Sequence, residues 1–231
     1  MTRSSSTQGA IILCVFLTAG ICLSARAQVG VGLSLNQNEF LLYEPIEATV
    51  RITNQSAESI DMTHLSKGEP WLDFFVTTLE HEEIHHTEKA WGPPNVRVPA
   101  GQVKSVTVNL TPWFLIRDPG EYRVTAVVSA WGNHVNSRQL AFSVIKGSAI
   151  WEQRFTAPPA PEDSSKAPRP RHYSLLIHRR GDKNILYVRI ENPSAERVYC
   201  TTPLGSVVNY GDPRARIDLH GDLHVFHQSG T

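Results

Sequence analysis

The chain has 231 residues, 41% of them hydrophobic, and its 22 Lys and Arg balance its 22 Asp and Glu for a formal net charge of +0. That balance predicts no nucleic-acid footprint, which needs a clustered excess of cations, and the length allows one or two domains. Three cysteines cannot staple a disulfide scaffold, so an apolar core has to hold the fold.

The chain opens with a polar stretch, Met1 to Ala10, carrying one cation, Arg3, followed by the apolar run IILCVFLTAGICL at 11 to 23 and by small residues Ala25 and Ala27 before Gln28. This is the pattern of a secretory signal peptide cleaved after Ala27. The apolar run has 13 residues, short of the roughly 20 that span a bilayer, and no later segment is apolar enough to cross. The expectation is an exported protein, periplasmic, cell-surface or extracellular, with no membrane span once the leader is removed. Cleavage removes Arg3 and Arg26, leaving 20 cations against 22 acids and a net charge of −2. It also removes Cys14 and Cys22, so Cys200 has no intramolecular partner.

From residue 28 to 156 the apolar period is two. EATVRITN sends Ala48, Val50 and Ile52 to one face; KSVTVNL does the same with Val106, Val108 and Leu110, and EYRVTAVVS with Tyr122, Val124, Ala126 and Val128. Further strands are predicted at 31 to 35, 71 to 79, 84 to 90 and 138 to 145. Short half-buried strands between Gly, Pro, Asn and Ser turns predict an all-β fold, an immunoglobulin-like antiparallel β-sandwich. RDPGEYRV sharpens this, because Asp118, Gly120 and Tyr122 resemble the tyrosine corner of immunoglobulin-like domains. Between Tyr43 and Ala130 the succession VRITNQS, WLDFFV, VPAGQVKSVTVNL and PGEYRVTAVV also resembles the sandwich of bacterial intracellular proteinase inhibitors. The resemblance implies that fold and an inhibitory role; the leader departs from an intracellular one.

LEHEEIHHTEK at 79 to 89 contains His81-Glu82-Glu83-Ile84-His85, which spells the zinc-protease motif H-E-x-x-H. Two histidines at i and i+4 share a metal only on a helix, where they lie about 6 Å apart. The flanks are not helical in character: WLDFFVTTL is aromatic and β-branched, and IHHTEKAWGPP runs into Gly92, Pro93 and Pro94. On a strand the two imidazoles would stand about 13 Å apart. The segment is therefore expected to be the exposed, non-helical tip of a hairpin. His86 and Glu88 share a predicted strand face about 6.6 Å apart, with His64 as a third candidate ligand. Histidines on exposed hairpins ordinarily bind nothing, and no metal is assigned to them.

APPAPEDSSKAPRP at 157 to 170 holds five prolines in 14 positions, the composition of a semi-rigid linker. It is expected to divide the sandwich from a small β-rich module at 171 to 231, with strands near 173 to 178, 184 to 191, 197 to 202, 206 to 209, 215 to 219 and 223 to 228. Arg180-Gly181-Asp182 is expected at a hairpin tip, where Gly and Asp are ordinary turn residues. Asp218, His220, Asp222, His224 and His227 crowd into RIDLHGDLHVFHQ. Turn chemistry again accounts for them, with His224 and Phe226 on one strand face and Val225 and His227 on the other. Cys200 in VYCTTP is expected to be buried and inert, and Asn54 and Asn109 stand in glycosylation sequons. A domain this small is marginal without disulfides or metal. The module is thus expected to be incomplete, its last strand an edge open to augmentation.

No catalytic, cofactor-binding or metal-binding set emerges, and no cofactor is assigned. The expected function is an exported non-enzymatic binding or structural protein that meets a protein or glycan partner through loops or strand edges. The alternatives are protease inhibition through loops 64 to 70 or 91 to 99, and metal-dependent hydrolysis.

Overall fold

The computed structural model describes residues 29–63, 70–87, 92–157, 169–193, 197–208 and 211–230. The leader, His64 and Glu88 lie outside them, as do 158 to 168 of the Pro-rich stretch. The fold is all-β, with no helix among the described residues, so none there is long and apolar enough to cross a membrane.

Two sheets form the N-terminal layer pair. One orders β1 (Val29–Leu35), β3 (Glu47–Asn54) and β7 (Val103–Asn109) side by side. The other orders β2 (Glu39–Leu41), β10 (Leu140–Ile145), β8 (Gly120–Ala130) and β5 (Leu72–Thr78), with β9 (Asn133–Asn136) also on β8. The predicted alternation is what closes them. Ala48, Val50, Ile52, Val106 and Val108 face Phe74, Val76, Tyr122, Val124, Ala126 and Phe142 in one core around the fully buried Trp71. A short ladder, β4 (Ile60–Met62) with β6 (Val96–Val98), adds Ile60, Met62 and Val98. The tyrosine corner is formed: the Tyr122 hydroxyl donates to the Asp118 carbonyl at 2.6 Å.

Within the otherwise antiparallel ladders β2 runs parallel to β10, with Glu39 opposite Ser143. After β1 the chain turns through Asn36, whose Oδ1 accepts from the Glu47 amide, and crosses to the other sheet before β3 begins. The predicted strand 84 to 90 is not a regular strand within its described part. Glu83 bridges Thr77 and His86 bridges Phe114, so the segment divides its backbone bonds between β5 and a distant loop.

The second sheet system begins earlier than the Pro-rich composition suggested. β11 (Ser148–Ala157), β12 (Arg169–Arg180), β13 (Lys183–Asn192) and β14 (Arg197–Val207) form one antiparallel sheet in that order. Ala157 pairs with Arg169 and Thr156 with Pro170, so the ends of the Pro-rich stretch belong to neighbouring strands of one ladder. Lys146 and Gly147 connect β10 to β11, the first strand of this sheet. Gly147 has φ +72, and a Cβ there would come within 2.9 Å of Leu41 Cδ2, which requires glycine. The predicted strand near 206 to 209 is the end of β14 in its described part. Finally β15 (Arg214–Ile217) and β16 (Leu223–Phe226) make a hairpin fastened to the sheet where Tyr173 Oη donates to the Gly221 carbonyl at 2.8 Å.

Polar groups lock the four-stranded sheet to the turn after β2. Arg189 Nη2 and Thr201 Oγ1 donate to the Leu42 carbonyl at 2.7 and 3.3 Å. His178 Nε2 meets Glu39 Oε1 at 2.7 Å. Glu44 is only 5% exposed; its Oε2 accepts from the Leu41 amide at 2.7 Å and lies 3.5 Å from Arg180 Nη2. Beneath them Leu41, Leu176 and Tyr187 form a small apolar cluster with Ile145 and Ile185. Burial first, and then the Glu44 charge, push the Tyr187 hydroxyl up to about 12.

Candidate functional site

Where the sheet leans on the sandwich, a cleft of about 710 Å³ opens between β14 and the loop at 109 to 117, a volume in the range of ligand sites. Local bonds shape the sandwich wall. Thr111 Oγ1 donates to the Glu44 carbonyl at 2.7 Å and accepts from the Ile46 amide at 3.0 Å, while Asn109 Oδ1 caps the Thr111 amide at 3.0 Å. The chain then alternates, burying Phe114 and Ile116 and turning Leu115 and Arg117 outward. Leu115 is 44% exposed, high for a leucine beside a cleft.

The facing wall is the edge of β14 at 197 to 202; β14 pairs with β13 among the described strands, and its far end at Ser206 and Val207 is met by Gly230 and Ser229. Its register skips Tyr199 between Val198 and Cys200, a bulge opposite Ile190 and Glu191, and bulges re-aim side chains at sheet edges. Tyr199 accordingly stands 39% exposed, with the guanidinium carbon of Arg197 5.3 Å and that of Arg171 5.8 Å from its ring centre. Tyr43 is capped in the same way by Arg189 at 5.7 Å, a guanidinium whose pKa burial lowers. A recess of about 260 Å³ adjoins the cleft and shares Tyr43, Arg117, Arg197 and Val198 with it. Among its described lining residues the carboxylate is Glu191, which meets His172 Nδ1 at 2.9 Å. Among the described residues the larger cleft is lined by hydroxyls, an amide, apolar groups, the Cys200 thiol and two guanidiniums, with neither imidazole nor carboxylate.

The residues singled out from sequence lie elsewhere. His81 to His85 is non-helical and mostly exposed, with His81 at φ +70 and no helix to align the two imidazoles. His86 instead lies 3.4 Å from Asp73 and packs on the Phe114 ring, centres 4.5 Å apart. No group of three His, Cys, Asp or Glu suited to a metal occurs among the described residues. Gly181 and Asp182 do form a hairpin tip, but Arg180 turns back to donate to Tyr187 Oη at 2.6 Å, so the tripeptide is not displayed as a unit. Asn54 is fully buried, its amide nitrogen donating to the Glu58 and Val98 carbonyls, which removes it as an accessible sequon.

Near the chain end Asp218 Oδ1 accepts from the His220 and Asp222 amides, each at 2.9 Å, and Oδ2 meets His224 Nε2 at 3.0 Å. The hydrogen bond from His224, then that from the Asp222 amide, hold the carboxyl down at about 2. These bonds account for the crowding as a turn. β16 pairs only with β15 among the described strands, and Phe226 is 70% exposed. The following residues return to the sheet, Ser229 bridging Val207.

Cys200 departs from expectation: it is half-buried and lines the cleft, because β14 is an edge strand. Arg117, Arg197 and Tyr43 carried no motif. Only their placement by two different sheets joins them, and strand alternation in RVYC says nothing of what faces it.

The chain matches no protein-family model, and no curated protein matches it. Among solved structures it is similar to the sporulation control protein Spo0M of Bacillus subtilis, at 10% identity and a TM-score of 0.35, covering 76% of this chain and 84% of that one. It is also similar to the alkylpurine DNA glycosylase AlkC of Pseudomonas fluorescens, at 14% identity and a TM-score of 0.32 over 52% of this chain. A Listeria innocua beta-glucosidase follows at 19% identity, a TM-score of 0.30 and 51% of this chain. The likeness spans 31% of the glycosylase and 16% of the glucosidase.

Proposed function

We propose that this chain is an exported, non-catalytic binding protein that holds its partner in the cleft between the sandwich and the four-stranded sheet. The observation that carries this reading is the make-up of the cleft. Exposed Leu115 and Tyr199 stand beside Arg117 and Arg197, and among the described residues neither imidazole nor carboxylate lines the wall. Such a surface recognises by shape, apolar contact and charge; acid–base chemistry by imidazole or carboxylate needs such a group within hydrogen-bond reach of the substrate, and the described lining supplies none. The leader-like first 27 residues support export.

The test is a ligand screen over peptide and oligosaccharide arrays, followed by amide hydrogen exchange on the complex. Protection concentrated at 114 to 117 and 197 to 202 is expected. Protection confined to other surfaces overturns the reading, as does turnover of peptide, ester or glycoside substrates that disappears with Cys200→Ala.

A further inference from the structure

Arg117 stands on the outward side of the loop before β8, and Arg197 opens β14. Different sheets supply them, yet both line the cleft and both line the adjoining recess. Both are exposed, and neither has a carboxylate within ion-pair distance among the described residues. Glu191, which lines the recess, is engaged by His172. Two guanidiniums lining one concavity favour an anion, and their planar forks suit carboxylates in particular.

We propose that the cleft takes an extended acidic segment of a partner protein, its carboxylates meeting Arg117 and Arg197 while an aliphatic side chain covers Leu115. This rests on the cleft being the binding site. A sugar would need an open aromatic face, but Tyr199 already carries guanidiniums at 5.3 and 5.8 Å and Tyr43 one at 5.7 Å. The exposed aliphatic surface of Leu115 is matched by a peptide side chain and not by a sulfated ring. The edge of β14 offers main-chain groups too, although the bulge at Tyr199 and the missing N–H of Pro203 interrupt it. Side chains therefore carry recognition, with edge bonds adding to it.

The test uses the full chain and three probes: a fluorescein-labelled peptide alternating Glu and Leu, its Lys and Leu counterpart, and a sulfated oligosaccharide. Anisotropy is expected to show binding of the acidic peptide that weakens as salt rises. Arg117→Glu and Arg197→Glu should each weaken it by about tenfold or more, while Lys104→Glu, an exposed charge on β7, changes it by less than about twofold. Bound acidic peptide should also slow alkylation of the Cys200 thiol, read by peptide mass. Equal or tighter binding of the Lys peptide, or affinity unmoved by both reversals, overturns the proposal. So does an oligosaccharide that displaces the acidic peptide and itself shields Cys200. A neutral peptide that shields Cys200 where the acidic one does not leaves the cleft as the binding site and removes only the charge selectivity. If no ligand shields Cys200, both fall.

Discussion

The hydroxyl of Tyr122 reaches back 2.6 Å to the carbonyl of Asp118, and the same ring stacks on Phe142 with centres 5.6 Å apart. One side chain thereby ties the loop entering β8 to the strand that follows it in the sheet. Burial, with the Asp118 charge behind it, raises the pKa of that hydroxyl.

Tyr122→Phe keeps the stacking and loses the bond. It is expected to destabilise the chain by about 1 kcal/mol, seen as a lower urea midpoint with an unchanged slope. A change within error would mean that the corner contributes shape alone.

Glu44→Ala removes the partner of Arg180 and leaves the Leu41 amide without its acceptor. The cost is expected at roughly 2–3 kcal/mol, below that of a fully buried pair because Arg180 remains partly in water. Intrinsic fluorescence unfolding would measure it. Glu39→Ala, at a more exposed position, should cost less.

Tyr187 ionises late, at about 12, chiefly because it is buried. Since its folded pKa lies above the unfolded value of about 10, the stabilisation is complete below pH 10 and is lost as pH rises towards 12. Ultraviolet titration should show a late tyrosine step that Tyr187→Phe removes.

Asp218 behaves in the opposite sense. Its folded pKa, about 2, lies below the unfolded value near 3.9, so its support of the β15–β16 turn is complete above about pH 4 and is lost as pH falls to 2. Amide chemical shifts of residues 214 to 226 should report loosening of the hairpin over that window. In Asp218→Asn the acid-dependent step should vanish.

Trp131 holds φ +48 beside Gly132 at φ +74 in the β8–β9 hairpin, with 49% of its surface exposed. Left-handed conformations are costly for bulky residues, and Asn-Gly is the preferred pair for such a turn. Trp131→Asn is expected to raise stability by roughly 0.5–1 kcal/mol in thermal unfolding. A loss of stability would show that the exposed indole makes a contact of its own.

The sandwich strands were legible because one face of each is buried, and burial imposes period two: Ala48, Val50 and Ile52 announce β3 in any half-buried setting. The Asp-x-Gly-x-Tyr spacing likewise forecast a bond that forms. The short ladders at 60 to 62 and 96 to 98 carry too few residues to show a period. β2 escaped notice because EFL is too short to show alternation and its partner lies about a hundred residues away. Composition misled at 157 to 170, since proline reports that a segment does not continue a ladder and not what its ends are doing. The cleft was invisible for a related reason. Arg117 and Arg197 acquire meaning only through the way β14 leans on the loop after β7, and that depends on Leu42, Glu44 and Arg180, residues that look unremarkable one at a time.

The pairing of Ala157 with Arg169 means that the chain can be severed within its Pro-rich stretch without being divided. Produced as two polypeptides that end and begin there, the halves retain matching ladder partners from Ser148 opposite Ile177 to Thr156 opposite Pro170. They should reassemble by complementation into one particle. A reporter split across that point would then register reassembly of the protein itself.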